Sequence, residues 1–331
     1  STDRSMEELG KYDDPRIKVF NQENSGVSAA RNKGIELATN EWIAFIDADD
    51  LWLPEHLEEI AKLNKVYPEA AMLATTTIEQ ASNVTLPFKE SVDHNYEIRH
   101  IDYFLEASLN ISVIHTSNVA IKKIVLEDVG VFSNYKRGED LELWARIALN
   151  NKVVKSNRKT SIYVKGTGGL MDTGIHSLDK LSSVGLIRLQ DFTPSAFYLK
   201  NKLCELKDFQ QIKSVRKYIN SRILNHIRGN LIRHEFDIAK NLGEHLVNPN
   251  PTPEFVYFYL SKMPSPLLNM LFKLRSFLRN SNPMCATMNH GTYKNSDFSI
   301  SCRLTYISVS HFRRCKSCRV IAKRGFRVFQ S

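Results

Sequence analysis

Trp42-Ile43-Ala44-Phe45-Ile46-Asp47-Ala48-Asp49-Asp50 is an apolar run that ends in three carboxylates within four positions. Like charges this close repel. A soluble chain keeps them at a strand end chiefly where a cation or polar ligand sits among the oxygens, and hard divalent ions prefer such ligands. In an extended chain Asp47 and Asp49 point to the same side. The residues before them are apolar at both parities, which suits a strand buried on both faces, and open α/β sheets bind ligands at the carboxyl ends of such strands. A plainer reading is an Asx-rich turn ahead of a helix, since Pro54 and Glu55 make a good helix start. The acidic run alone leaves both readings open.

Its neighbours narrow the choice. Upstream stands Asn21-Gln22-Glu23-Asn24-Ser25-Gly26-Val27-Ser28-Ala29-Ala30-Arg31-Asn32-Lys33-Gly34, a polar loop with a glycine leading into a helix that carries Arg31 and Lys33. Downstream come Thr116 to Lys123, a Val129 to Phe132 turn, and Gly138-Glu139-Asp140 opening an amphipathic helix through Arg146. Together, and in this order, these segments resemble the nucleotide-sugar-binding domain of family 2 glycosyltransferases, inverting enzymes with a GT-A fold. The resemblance covers roughly Ser1 to Ser177. It implies an α/β fold with a mostly parallel sheet flanked by helices, followed here by a C-terminal helical region.

The resemblance also implies roles. Asp49 matches the second aspartate of the D-x-D motif and is expected to bind a divalent cation, Mn²⁺ or Mg²⁺, that bridges the donor's phosphates. Asp47 is expected at the ribose, and Arg31 at the nucleotide. Asp140 matches the base that takes a proton from the acceptor hydroxyl. Asp50 is open between the metal and a helix cap, Glu139 is expected to favour the helix N-terminus, and Trp144 is open between a sugar and the core. His176 is a further candidate for the metal shell. The implied partners are a nucleotide-sugar donor and a glycan or lipid-linked acceptor in surface polysaccharide biosynthesis. Family members open with a strand-helix-strand unit ending in D-D-G-S-T-D, and Ser1-Thr2-Asp3 looks like the tail of that run. The expectation is an N-terminally truncated domain, so an inactive remnant with residual nucleotide or metal binding stands as the alternative.

Charge divides the chain. Residues 285–331 hold nine Lys or Arg against one acid, Asp297, and so contribute +8 of the formal +9. The body is close to neutral, and no nucleic-acid partner is expected. Cys302, His311, Cys315 and Cys318 leave a zinc site open against a disordered or foreign tail. Only Cys204 lies outside that tail, which suits a reducing compartment. No apolar run reaches the ~18 to 20 residues that span a bilayer. The basic amphipathic segment 255–279 is open between packing on the body and peripheral membrane contact, so a cytoplasmic location, with the inner face of the membrane as a variant, is expected.

Periodicity places the elements. Strands are expected at Ile17 to Phe20, Trp42 to Asp47, Ala71 to Thr76 and Asn118 to Ile121, with edge strands at Val153 to Lys155 and Ser161 to Val164. Helices are expected at Ser28 to Ala38, Glu55 to Val66, Ile101 to Leu105 and Leu141 to Leu149, and Ser82 to Asn95 reads as a loop. From about Leu186 the pattern is helical, with Ile219, Ile223, Leu224, Ile227 and Leu231 near 3.6 spacing. The boundaries that follow are 1–180 for a transferase-like domain, 181–282 for a helical accessory region and 283–331 for the tail.

Overall fold

The computed structural model describes residues 7, 10–81, 96–167, 188–248, 260, 262–264, 266–271 and 329–330. Ser1 to Asp3, the Ser82 to Asn95 loop, His176 and the four zinc candidates lie outside these residues. The 255–279 segment is described only in part.

Seven strands form one sheet: β1 Trp42–Ile46, β2 Leu51–Trp52, β3 Met72–Ala81, β4 Ile98–Ile101, β5 Val119–Lys122, β6 Val153–Lys165 and β7 Phe329–Gln330. The order is β2-β6-β3-β5-β1-β7, with β4 also pairing β6. The sheet is mixed rather than mostly parallel. β1 with β7 and β3 with β6 run parallel, whereas β5 lies antiparallel between β1 and β3, and β2 and β4 are antiparallel to β6.

The period-2 rule then sorts side chains onto two faces. Ala44, Leu73, Ala120 and Val154 meet Ile60 and Leu63 of helix α2 (His56–Val66) on one side. Ile43, Phe45, Met72, Ala74, Val119, Ile121 and Val153 join a larger core on the other. That core takes in helices α1 (Val27–Leu37), α3 (Tyr103–Leu109), α4 (Lys123–Val129) and α5 (Glu139–Asn150). It continues without a break into α6 (Leu189–Phe192), α7 (Pro194–Lys202), α8 (Phe209–Ile232) and α9 (Phe236–Gly243). Leu268 is buried against the same core, while Leu267 and Met270 beside it are exposed.

Three expectations need correction. Ile17 to Phe20 is not a strand, and Val19 and Phe20 stand half in solvent; a short β-branched run gains nothing from extension without ladder partners. Ile98–Ile101 is a strand that its polar centre concealed, and it runs into Asp102, whose carboxylate caps α3 at the Leu105 N–H. The two edge strands expected at Val153 to Val164 are one 13-residue strand inside the sheet. Its middle is polar because Ser156, Thr160 and Ser161 are buried against partners: Ser156 donates to Glu59, Thr160 bonds His56, and Ser161 pairs with Thr77.

Candidate functional site

The site is assembled from the N-terminal half of α1. Gly26, the residue ahead of the helix, has φ +87°, a conformation that favours glycine. Ser28, Arg31 and Asn32 follow at i, i+3 and i+4 and so share one face. Ser28 Oγ donates to the Ser133 carbonyl at 3.0 Å, and the Asn32 amide exchanges two 2.9 Å bonds with the backbone of Phe132. These three bonds tie the helix to the loop that leads into α5.

Arg31 lies between them, 7% exposed. Its Nη2 donates to Asp47 Oδ1 at 2.6 Å and its Nη1 to Glu139 Oε1 at 2.8 Å, with the Phe132 ring 5.2 Å from the guanidinium carbon. One planar fork therefore joins the end of β1 to the start of α5. Burial works against the Arg31 charge, but Asp47, Glu139 and Asp140 more than offset it, so its pKa is raised. Glu139 is pushed upward by burial and by Asp140, and Arg31 pulls it back.

The strand end has its own support. Ser117 Oγ accepts from the Asp47 N–H at 3.0 Å and donates to Asp50 Oδ2 at 2.5 Å. The Val164 N–H reaches Asp50 Oδ1 at 3.2 Å, and His115 Nδ1 stands 3.7 Å from Oδ2. Asp50 is thus a buried anchor that joins β1, β6 and the segment before β5. It is neither a free metal ligand nor the cap of α2, whose N-cap position is Glu55. Burial raises its pKa to about 6 against the opposing pull of Ser117 and His115. Asp49, by contrast, is exposed at the turn, with Oδ2 accepting from Thr167 Oγ1 at 2.8 Å.

At the other wall Gly138 adopts the left-handed conformation, φ +68°, and Glu139 begins α5. Asp140 is half-buried, with Oδ1 held by the Leu141 N–H at 2.7 Å. Trp144 is fully buried and edges onto Phe132 at 5.8 Å, so it belongs to the core and not to a sugar. The structure thus brings Arg31, Asp47 and Glu139 into contact, sets Asp140 next to Glu139, and leaves Asp49 on the open side of the strand end. Sequence reasoning missed the bond from Glu139 to Arg31 and the supports supplied by Ser117, Val164 and Thr167. The S-x-x-R-N spacing, which puts three polar residues on one helix face, was the signal for the first.

A divalent cation fits the donor set in one way. Mg²⁺-type sites use one or two carboxylates and take the rest of the shell from substrate phosphates and water. Asp49 offers such an exposed carboxylate. Among the described residues no three His, Cys, Asp or Glu side chains converge into a cage that would hold the ion alone.

Residues 1–130 match the family model described as glycosyl transferase family 2. Arg31, Asp47 and Asp49 lie inside the matched segment and Asp140 beyond it. An uncharacterized glycosyltransferase of Rickettsia conorii is 30% identical over 193 residues, covering 56% of this chain and 29% of that protein. The putative glycosyltransferase EpsH of Bacillus subtilis is 52% identical over 56 residues, 17% of this chain and 16% of EpsH. The putative teichuronic acid biosynthesis glycosyltransferase TuaG of the same organism is 44% identical over 62 residues, 18% of this chain and 25% of TuaG. The chain thus spans less than a third of each of these relatives. Among solved structures, TarS 1-349 of S. aureus aligns with a TM-score of 0.44 at 13% identity, covering 74% of this chain and 71% of that one.

Proposed function

We propose that this protein moves a sugar from a nucleotide-sugar donor to a glycan or lipid-linked acceptor, with inversion at the anomeric carbon. The observation that carries this reading is the Arg31 fork. It fixes Asp47, at the end of a buried strand, against Glu139, the residue before Asp140, although 92 positions separate Asp47 from Glu139 in the sequence. The name of TuaG, a putative teichuronic acid biosynthesis glycosyltransferase, supports polysaccharide biosynthesis as the setting.

The residues divide the work. In this reading Asp47, held by Arg31 and Ser117, accepts hydrogen bonds from the ribose hydroxyls. Asp140 takes the proton as the acceptor hydroxyl oxygen attacks the anomeric carbon. The bond from that carbon to the diphosphate oxygen breaks on the opposite side, and its electron pair leaves with the nucleoside diphosphate. A divalent cation held by Asp49 supplies, when bound, positive charge against the departing diphosphate. Arg31, with both Nη atoms engaged, acts as a positioning residue for the two carboxylates.

Calorimetric titration with a nucleoside diphosphate, with and without Mn²⁺, tests the donor half of this reading. Wild-type protein is expected to bind only with the metal, and Asp49→Asn to lose that dependence because an amide cannot replace the carboxylate charge. Equal metal-dependent affinity in the variant removes Asp49 from the site.

A further inference from the structure

Helix α8 carries Lys213, Arg216, Lys217, Arg222 and Arg228 and no Asp or Glu along its 24 residues. Its apolar stripe of Val215, Ile219, Ile223, Ile227 and Leu231 is buried in the main core. Flanking that stripe, Tyr218, Arg222 and His226 recur at intervals of four, which puts them one above another on a single face. The Arg233 guanidinium folds back over Gly229, where an added Cβ would lie 3.6 Å from its Nη1. Two guanidinium groups and an imidazole therefore line one edge of the helix.

Little in the protein answers this charge. The Nε of Arg222, the Nε of Arg233 and Nε2 of His226 are buried without a hydrogen-bond partner. Among the described residues Arg222 makes no hydrogen bond or ion pair. Arg233 reaches Asn230 Oδ1 at 3.0 Å, and Glu235 stands 3.7 Å from its Nε. Burial, then Arg222, Arg233 and Arg137, push the His226 pKa down to about 4, so the ring is neutral near neutral pH and the charge along this edge is that of the guanidinium groups. Buried polar groups left unpaired in native proteins call for an explanation, and unmet guanidinium donors point to an anion.

The stripe also begins beside the chemistry. Arg137 stands three residues before Asp140 on the loop into α5. Arg222 and Asp140 both act on the buried hydroxyls of Tyr103 and Tyr218. We infer that Arg222 and Arg233, beside the His226 ring and with Arg137, form a subsite for a phosphate group carried by the acceptor. Guanidinium forks suit phosphate oxygens through paired N–H donors. Assignment to the acceptor rests on the transferase reading, whereas phosphate binding does not. The phosphate belongs either to a phosphodiester in a glycan or to a lipid carrier, and the two present the same oxygens to the protein.

The test uses the full chain in metal-free buffer, with inorganic phosphate as the first probe in calorimetry. Arg222→Ala is expected to weaken phosphate binding by about tenfold or more, Arg222→Lys to retain part of it, and Lys65→Ala, which removes an exposed charge on α2, to bind as wild type. Melting curves confirm that each variant is folded. Soluble glycerol phosphodiester oligomers and phosphatidylcholine vesicles carrying a polyprenyl phosphate then compete for the site, and displacement by one or the other identifies the source. Unchanged phosphate affinity in Arg222→Ala, or tightest binding to single-stranded RNA, overturns the inference. Intact phosphate binding with no donor binding would count against the transferase reading alone.

Discussion

Arg31 divides one guanidinium between two carboxylates, and this decides what its neighbours can do. A single ammonium has no fork to reach both, so Arg31→Lys is expected to free either Asp47 or Glu139. Removing Glu139 leaves a buried cation with half its compensation. Glu139→Ala is therefore expected to lower stability by about 3 kcal/mol, read as a fall in the urea midpoint, and to weaken donor binding as Asp47 loses its anchor. A variant as stable as wild type would show that solvent already screens the pair. At this scale the order of the chain names Asp47, Asp49, Arg31 and Asp140 as candidates, and the structure brings Arg31 and Asp47 into contact. The bonds of Ser117 and Glu139 could not be read from that order, because they join segments far apart in sequence. Asp50 stayed ambiguous, since a carboxylate that anchors three segments and one that meets a metal look alike in a D-A-D-D run.

The long strand β6 explains why elements were legible where they were apolar. α1, β1, α2, β5 and α5 show clean periodicity and lie within a residue or two of where it placed them. β6 was read as two pieces because its buried middle is polar, and hydropathy cannot tell a satisfied buried serine from a loop residue. One of its partners yields a pH prediction. His56 is 1% exposed, stacks on Trp52 at 4.4 Å and bonds Thr160 Oγ1 at 2.8 Å. Burial holds its pKa down to about 3. The unfolded chain protonates this histidine near pH 6.5 and the folded protein does not. Its contribution is therefore fully present above pH 6.5 and is lost as pH falls toward 3. Between pH 7 and 5 this costs about 2 kcal/mol, and more where His226, held down to about 4, adds to it. Urea unfolding at the two pH values measures the loss, and His56→Phe is expected to reduce the slope. A slope unchanged by the substitution would assign the pH dependence to other groups.

Over the whole molecule, one core joins the sheet to the helices beyond residue 188, so the α8 stripe and the Arg31 fork are fixed in one frame. Leu63, fully buried between α2 and the sheet, reports on the smaller core: Leu63→Ala is expected to cost about 2 to 5 kcal/mol in urea unfolding. A loss under 1 kcal/mol would mean that α2 contributes little to the fold. The mixed sheet was not foreseen, because a strand buried on both faces reads the same whether its neighbours run parallel or antiparallel. The proposed function is sugar transfer driven from Asp140. The most direct measurement is product formation by the full chain from a panel of nucleotide sugars with Mn²⁺ and a glycan acceptor, compared with Asp140→Asn. The account predicts that the variant binds donor within a few fold of wild type while turnover falls by about 100- to 10,000-fold. Equal turnover by the variant, or a wild-type protein that binds donor and never transfers the sugar, would contradict it.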